Sequence, residues 1–218
     1  MMRRQSDRGM QQRAVETRGS ILLAAAEVFD EFGFAGASIS KICERGGTTQ
    51  GAIYFHFASK EGLAREVMLA QPTVIVPRLA TEGLQRLVDI TLVWSRQLQS
   101  SPLLRAGVRL VTEQRSFGLN DIRPYEVWVG IMEEILVTAG ERGDLRESVD
   151  PRRLAEYLVA SCTGVQMYSY VVAGREDLTE RATEMWRFLL PGVAAEQVAQ
   201  LIDASTERAD QLEILPVE

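Results

Sequence analysis

Apolar residues recur along this chain at helical spacing almost from end to end. Ile21, Ala25, Val28 and Phe32, with Leu22, Ala26 and Phe29 beside them, predict one amphipathic helix from about Thr17 to Phe32, ended by Gly33. Phe34-Ala35-Gly36 reads as a connector. Ser38 is a suitable N-cap for a short helix through Ile42 and Arg45, which Gly46-Gly47 stops. Thr48 or Thr49 caps the next helix, to about His56. Ser59 caps a fourth from Lys60 to about Gln71, with Leu63, Val67 and Met68 inward and Pro72 and Pro77 as breakers.

Longer helices follow. Leu84, Leu87, Val88, Thr91, Leu92 and Leu98 line one. Ser101-Pro102 reads as N-cap and first position of another through Val111. A polar loop at Gly118-Leu119-Asn120-Asp121 precedes a helix carrying Val127, Trp128, Ile131, Ile135 and Leu136, which ends between Gly140 and Gly143. Asp150-Pro151 opens a long apolar helix, Leu154 to Val172, closed by Gly174. Leu178, Ala182, Met185 and Leu189 mark the next, stopped by Pro191-Gly192, and a last amphipathic helix covers about Val193 to Leu212. β-branched alternation is scarce and no repeat is visible. The expected fold is therefore all-α.

Composition narrows the function classes. The 218 residues suit one large or two small domains, and 46% hydrophobic with 25% charged is ordinary for a soluble globular chain. No apolar run approaches the roughly 20 residues of a membrane span. The Arg-rich start has no apolar core and is not read as a secretory leader. Cys43 and Cys162 lie far apart in apolar contexts, which suits a reducing cytoplasm and gives neither a disulfide framework nor a zinc site. With His56 the single histidine, a His-based metal site and most Ser–His–Asp or Cys–His arrangements are nearly excluded, and no cofactor is expected. The net charge of −6 hides an asymmetry. Residues 1–65 hold nine Lys/Arg against seven Asp/Glu, and the remainder fifteen against twenty-three. A basic head on an acidic body is the pattern of a DNA-binding segment joined to something else, although a bare Arg-rich terminus is as often a solvated tail.

The stretch Ile39 to Leu63 gives that asymmetry a mechanism. Two short helices joined by a Gly-containing turn, behind a longer amphipathic helix, make a helix-turn-helix, whose second helix enters the major groove. Such a helix must be thin, polar outside and anchored inside. Gly51 and Ala52 keep it thin, Ile53 and Phe57 anchor it, and Thr48, Thr49, Gln50 and Tyr54 can face out toward phosphates or base edges. The string TTQGAIYFHFASKEGLA from Thr48 resembles the TetR family of one-component repressors: Tyr54, Phe55, His56, Phe57, Ser59, Lys60, Glu61 and Leu63 match its aromatic-aromatic-His-Phe and Ser-Lys-Glu-x-Leu pattern. Ile21–Phe34 and Ser38–Ile42 match its first two helices, so the resemblance covers about residues 13–65. It implies DNA contacts from Ser38, Lys41, Thr48, Thr49, Gln50, Gly51, Tyr54, His56 and Lys60, with Tyr54 and Lys60 on phosphates. His56 also reads as a packing residue closing the helix. Many relatives carry Lys where this chain has Gln50, and Gln can instead bind adenine bidentately, so the operator sequence is expected to differ.

The second half resembles the γ-butyrolactone receptor branch of actinobacteria, on Arg105-Ala106-Gly107-Val108-Arg109-Leu110, Pro124-Tyr125, Trp128 and Gly143-Asp144-Leu145. The resemblance implies a ligand of lactone, butenolide or furan type, a pocket wall at Trp128 and control of antibiotic genes. The pI of 5.1 suits a true receptor. A lactone with an alkyl tail needs an apolar cavity and one or two donors. Trp128 offers a wall and an indole N–H, Val88, Leu92, Leu110 and Val165 can enclose a tail, and Thr163, Tyr125 and Gln71 add polar or flat contacts. Plain core is the competing reading for each aliphatic residue. The helices Leu154–Val172 and Leu178–Leu189 are too apolar for one wet face. Tyr157, Ala160, Ser161, Gly164, Tyr168, Met185 and Leu189 are therefore expected at a homodimer interface, a four-helix bundle from two copies, with a buried pair within one chain as the competing reading.

The expected organisation is a basic flexible arm at 1–12, a DNA-binding head at 13–58, a ligand-binding and dimerisation domain at 59–212, and a tail at 213–218. The expected function is a dimeric repressor of double-stranded operator DNA, released by a small signalling molecule, cytoplasmic and with no membrane partner. Two other readings remain. One is a pseudo-receptor answering to an antibiotic. The other is a small-molecule enzyme using Glu113 with Arg109 or Arg115, for which no motif speaks.

Overall fold

The computed structural model describes residues 2–75 and 79–212. Pro77 and the 213–218 tail lie outside the described residues, as do the side chains of Arg3, Arg4 and Arg8. The fold is all-α. The helices are α1 (Met2–Gly36), α2 (Ile39–Gly46), α3 (Gln50–Phe57), α4 (Lys60–Leu69), α5 (Gln71–Ile75), α6 (Gly83–Ser100), α7 (Pro102–Glu113), α8 (Arg123–Glu141), α9 (Pro151–Ala173), α10 (Leu178–Val193), α11 (Glu196–Ala199) and α12 (Thr206–Gln211). A 3₁₀ turn, Gln114–Phe117, follows α7. Among the described residues β pairing is confined to one isolated antiparallel bridge, Leu145–Ala194.

Side-chain caps set several of the starts. Ser38, Ser59, Asp150 and Ser205 each accept from the backbone N–H three residues on, and Thr49, not Thr48, does so for α3. Three boundaries differ from the sequence reading. The first helix begins at Met2 rather than near Thr17, because nothing in the polar, Arg-rich segment breaks a helix. Pro191 lies inside α10, which runs on to Val193; its missing N–H costs one intrahelical bond, and only Gly192 and Val193 follow it before the helix ends. In place of one amphipathic helix after it there are only the short α11 and α12.

The chain divides into two compact units. The first takes in residues 1–71 and 102–121, so it holds α7 together with α1 to α4. Within it α1 packs against α2, α4 and α7. Ile21, Ala25, Val28, Phe29, Ile42, Ile53, Leu63, Ala64, Val67 and Leu110 are all buried.

The second unit takes in 72–101 and 122–218. Its apolar core runs from Leu84, Leu87, Val88 and Leu92 on α6 through Val129, Met132 and Leu136 on α8 and Leu154, Ala155 and Leu158 on α9 to Ala182, Trp186 and Leu190 on α10. Trp186 and Asp89 at its centre are paired. Trp186 Nε1 donates to Thr91 Oγ1 at 2.6 Å. The buried Asp89 carboxylate accepts from Thr81 at 2.7 Å, Gln85 at 2.8 Å and both sides of the Arg208 guanidinium at 2.5 and 2.7 Å, which ties α12 to α6.

Candidate nucleic-acid interface

The turn between α2 and α3 follows from two glycines. Gly47 is left-handed at φ 57° and its N–H caps α2 on the Cys43 carbonyl. Thr49 Oγ1 then accepts from Ala52 N–H at 3.2 Å and starts α3. The join to α4 is a γ-turn centred on Ala58, at φ 61°, with Ser59 N–H on the Phe57 carbonyl at 2.7 Å. Gly62 must be glycine here, since a Cβ would stand 2.3 Å from the Phe57 carbonyl oxygen. α3 is thus held at both ends.

Ile53 and Phe57 on α3 are buried, whereas Gln50, Gly51, Tyr54 and Phe55 are exposed. Gly51, Tyr54 and Phe55 therefore lie away from the buried pair, while Thr49 and Gln50 are exposed at the start of the helix. Gln50 makes only a long contact, 3.5 Å to Ser40 Oγ. Thr48 is half-buried in the turn, and the Ser38 hydroxyl serves as the α2 cap, 3.2 Å from Lys41 N. His56 is half-buried beside two aromatic rings, 5.1 Å from Phe55 and 6.1 Å from Phe57 between centroids. Phe55, which spacing alone does not single out and whose signal in the sequence is its place in the matched string, is 83% exposed.

The two lysines expected on DNA converge on the end of α1. Lys60 Nζ donates to the carbonyls of Phe34 at 2.8 Å and Ala37 at 2.9 Å and lies 4.1 Å from the centre of the Phe34 ring. Burial lowers its pKa. This differs from a lysine extended to a phosphate: the ammonium already satisfies carbonyls left open at a helix end. Lys41 Nζ donates to the Gly36 carbonyl at 2.8 Å and sits 3.9 Å from the Phe32 ring centre, with the residue itself exposed. The Arg109–Glu113 pair, considered above as an acid/base couple, also binds α1: Arg109 Nε is 2.8 Å from Glu113, whose other oxygen accepts from Phe34 N–H at 3.2 Å.

The residues expected to bind a ligand are divided between the units. Gln71 and Leu110 belong to the first. Gln71 is buried, its amide on the Met68 carbonyl at 3.1 Å and its side chain in the space left by Gly107. In the second unit Val88 and Leu92 are core, and the half-buried Tyr125 and Trp128 pack against that core. Burial raises the pKa of the Tyr125 phenol, so it stays a neutral donor. Thr163 Oγ1 donates back to the Val159 carbonyl of its own helix at 2.8 Å.

A groove of about 450 Å³ runs between α9 and α10, lined by Tyr157, Ser161, Gly164, Val165, Tyr168, Met185 and Leu189 with Arg181, Glu184 and Phe188. It gathers the residues expected at a dimer interface except Ala160, and it includes Val165, which was expected at the ligand. Phe188 and Val171 on these helices are 79% and 75% exposed. Burial pushes the nearby Cys162 thiol up to about 12. Among the described residues no helix is long and apolar enough to cross a membrane.

Residues 21–67 match the model of bacterial regulatory proteins of the tetR family, and residues 81–195 that of the tetracyclin repressor-like C-terminal domain. The chain is 40% identical over 184 residues to the A-factor receptor protein of Streptomyces griseus, a match over 84% of this chain and 66% of that relative. Among solved structures, the TetR regulator TylP from Streptomyces fradiae superposes with a TM-score of 0.85 at 39% identity, over 92% of this chain and 97% of that one. A γ-butyrolactone receptor described as ArpA-like gives 0.66 at 29% identity, over 92% and 98%.

Proposed function

Because this chain belongs to the TetR family of bacterial regulatory proteins, we propose that it is a homodimeric repressor, not an enzyme, that binds double-stranded operator DNA and is released by a γ-butyrolactone or related butenolide or furan. The regulated genes are those of secondary metabolism. The observation that carries the DNA-binding half is the exposure pattern of α3: a thin helix, anchored by Ile53 and Phe57, that turns Gln50, Gly51 and Tyr54 outward. The ligand half rests on the likeness to the A-factor receptor protein and to the ArpA-like γ-butyrolactone receptor. Trp128 and Tyr125 supply a flat wall and two donors for such a molecule.

Two copies are joined through α9 and α10. The exposed Tyr157, Tyr168, Val171 and Phe188 lie on a face too apolar to stay wet, and a self-complementary pair of these helices buries it. Two heads then read two half-sites. Release needs only that ligand bind the DNA-incompetent form more tightly; each tenfold preference shifts the balance by about 1.4 kcal/mol.

The test is selection of duplexes from a random-sequence pool, followed by titration of the enriched duplex with synthetic alkyl γ-butyrolactones, butenolides and furans. Enrichment of a two-half-site duplex that one of these classes displaces supports the reading. Failure to enrich any duplex refutes the DNA half, and indifference to all three classes refutes the ligand half.

A further inference from the structure

Phe55 stands where a sequence reader stands, yet it has no polar group. With Ile53 and Phe57 marking the buried side of α3, steps of about 100° per residue put Phe55 opposite the midpoint of that pair. It is 83% exposed, against 49% for Tyr54, so it is the most outward side chain of the two. One turn earlier on the same side is Gly51, where a Cβ would meet only a single atom of Thr49 at 3.9 Å, so the surface beside the phenyl is recessed. A helical side chain leans toward the preceding turn, which is the recess at Gly51. The ring of His56 is edge-on to Phe55, 5.1 Å away and at 82°. No core gains from this phenyl, and a folded chain without a partner loses by exposing it.

We propose that Phe55 is a specificity-determining residue of the head, which reads thymine by placing its phenyl against the C5-methyl group in the major groove. A phenyl offers no hydrogen bond to a phosphate or a base edge, and the thymine methyl is the apolar feature of the major-groove floor. The recess at Gly51 lets the base edge approach the ring. Tyr54, one step of about 100° round the helix, supplies a polar group on one side of it. This proposal rests on the operator-binding reading above.

The experiment uses the full-length dimer and the duplex that the parent protein enriches from a random pool. Each thymine of the half-site is replaced in turn by deoxyuridine, which removes one methyl and leaves every hydrogen bond. The parent protein is expected to lose about fourfold in affinity at one or two of these positions, the effect of one buried methyl. Phe55→Ala is expected to bind the unmodified duplex more weakly by a similar factor and to be indifferent to the same deoxyuridines. Phe55→Leu, which keeps an apolar side chain, should retain part of the discrimination. Since the side chain is exposed, both variants should melt as the parent does. If Phe55→Ala discriminates thymine from deoxyuridine as the parent does, or if the parent is indifferent at every position, the proposal is wrong. If no duplex is enriched, the operator reading itself fails and this inference falls with it; the two failures are thus distinct.

Discussion

The Arg109 guanidinium lies where a side chain on Gly33 would stand: a Cβ there would come within 2.6 Å of Arg109 Nη2. Gly33 itself is at φ 66°, ψ 179°, a conformation left almost wholly to glycine. The kink it makes opens the last turn of α1, and α7 fills the opening. Arg109 Nη1 donates to the Asp30 carbonyl at 2.8 Å, and Arg105 pairs with the Asp30 carboxylate at 2.7 Å. Phe117 stacks on Phe34 with centroids 3.7 Å apart. α7 therefore holds the segment on which the head is built.

Gly33→Ala should destabilise the chain by about 1–3 kcal/mol through backbone strain, with a further steric cost from Arg109. Adding Arg109→Ala relieves the steric part and leaves the backbone part. Urea unfolding of Gly33→Ala, Arg109→Ala and the double variant separates the two; a Gly33→Ala protein as stable as the parent would mean that the kink is not required.

Lys60 gives a contrast between stability and binding. With its ammonium on the Phe34 and Ala37 carbonyls, Lys60→Met should cost about 1–3 kcal/mol of stability. The salt dependence of operator binding should be unchanged. A lysine that paired with a phosphate would, when lost, lower the slope of log affinity against log salt by about 1 per contact. Binding titrations at several salt concentrations, beside thermal melts, decide between them.

Gly164 tests the proposed assembly. It is exposed, lines the α9–α10 groove, and a Cβ on it would meet nothing within 4 Å in the isolated chain. Gly164→Leu should therefore fold normally apart from the usual change in helix propensity. It should weaken dimerisation by about 1–3 kcal/mol if a second copy packs closely there. Sedimentation at micromolar concentration would then show monomers, and operator affinity would fall with them. A Gly164→Leu protein that stays fully dimeric would count against this face.

What was legible in the sequence follows the range of the interactions involved. Caps act over three residues, so Ser38, Ser59 and Asp150 could be read directly, and Ile53 with Phe57 announced the inner side of α3 by spacing alone. The roles of Lys60 and Arg109 could not be read this way. Their partners lie 26 and 79 residues away, and a charged side chain looks the same in sequence whether it meets a phosphate or a carbonyl. Apolar spacing cannot mark the start of α1, because the helix has no apolar face there. The apolar character of Val165 does not distinguish an interior cavity from the groove it lines.

Trp128 separates a pocket from a core. It is half-buried and packs with Tyr125 against the second unit's apolar core, whereas Trp186 is fully buried with its N–H bonded to Thr91. Truncating a fully buried aromatic leaves a hole in packed structure and costs about 3–5 kcal/mol. Trp186→Ala should fall in that range, with the Thr91 hydroxyl also losing the N–H it accepts from while it keeps its bond to the Val88 carbonyl. Trp128→Ala removes a side chain that is already open on one side, so its cost should be well short of that range. Dimerisation and operator binding should remain close to those of the parent. If Trp128 faces the signalling molecule, the loss of the wall and its N–H removes part of the preferential binding that drives release. The variant should then need a much higher lactone concentration to leave the enriched duplex. Thermal melting and ligand-driven release, measured on both tryptophan variants, give opposite patterns for the two readings. A Trp128→Ala protein that melts as low as Trp186→Ala yet still responds to ligand like the parent would assign Trp128 to the core.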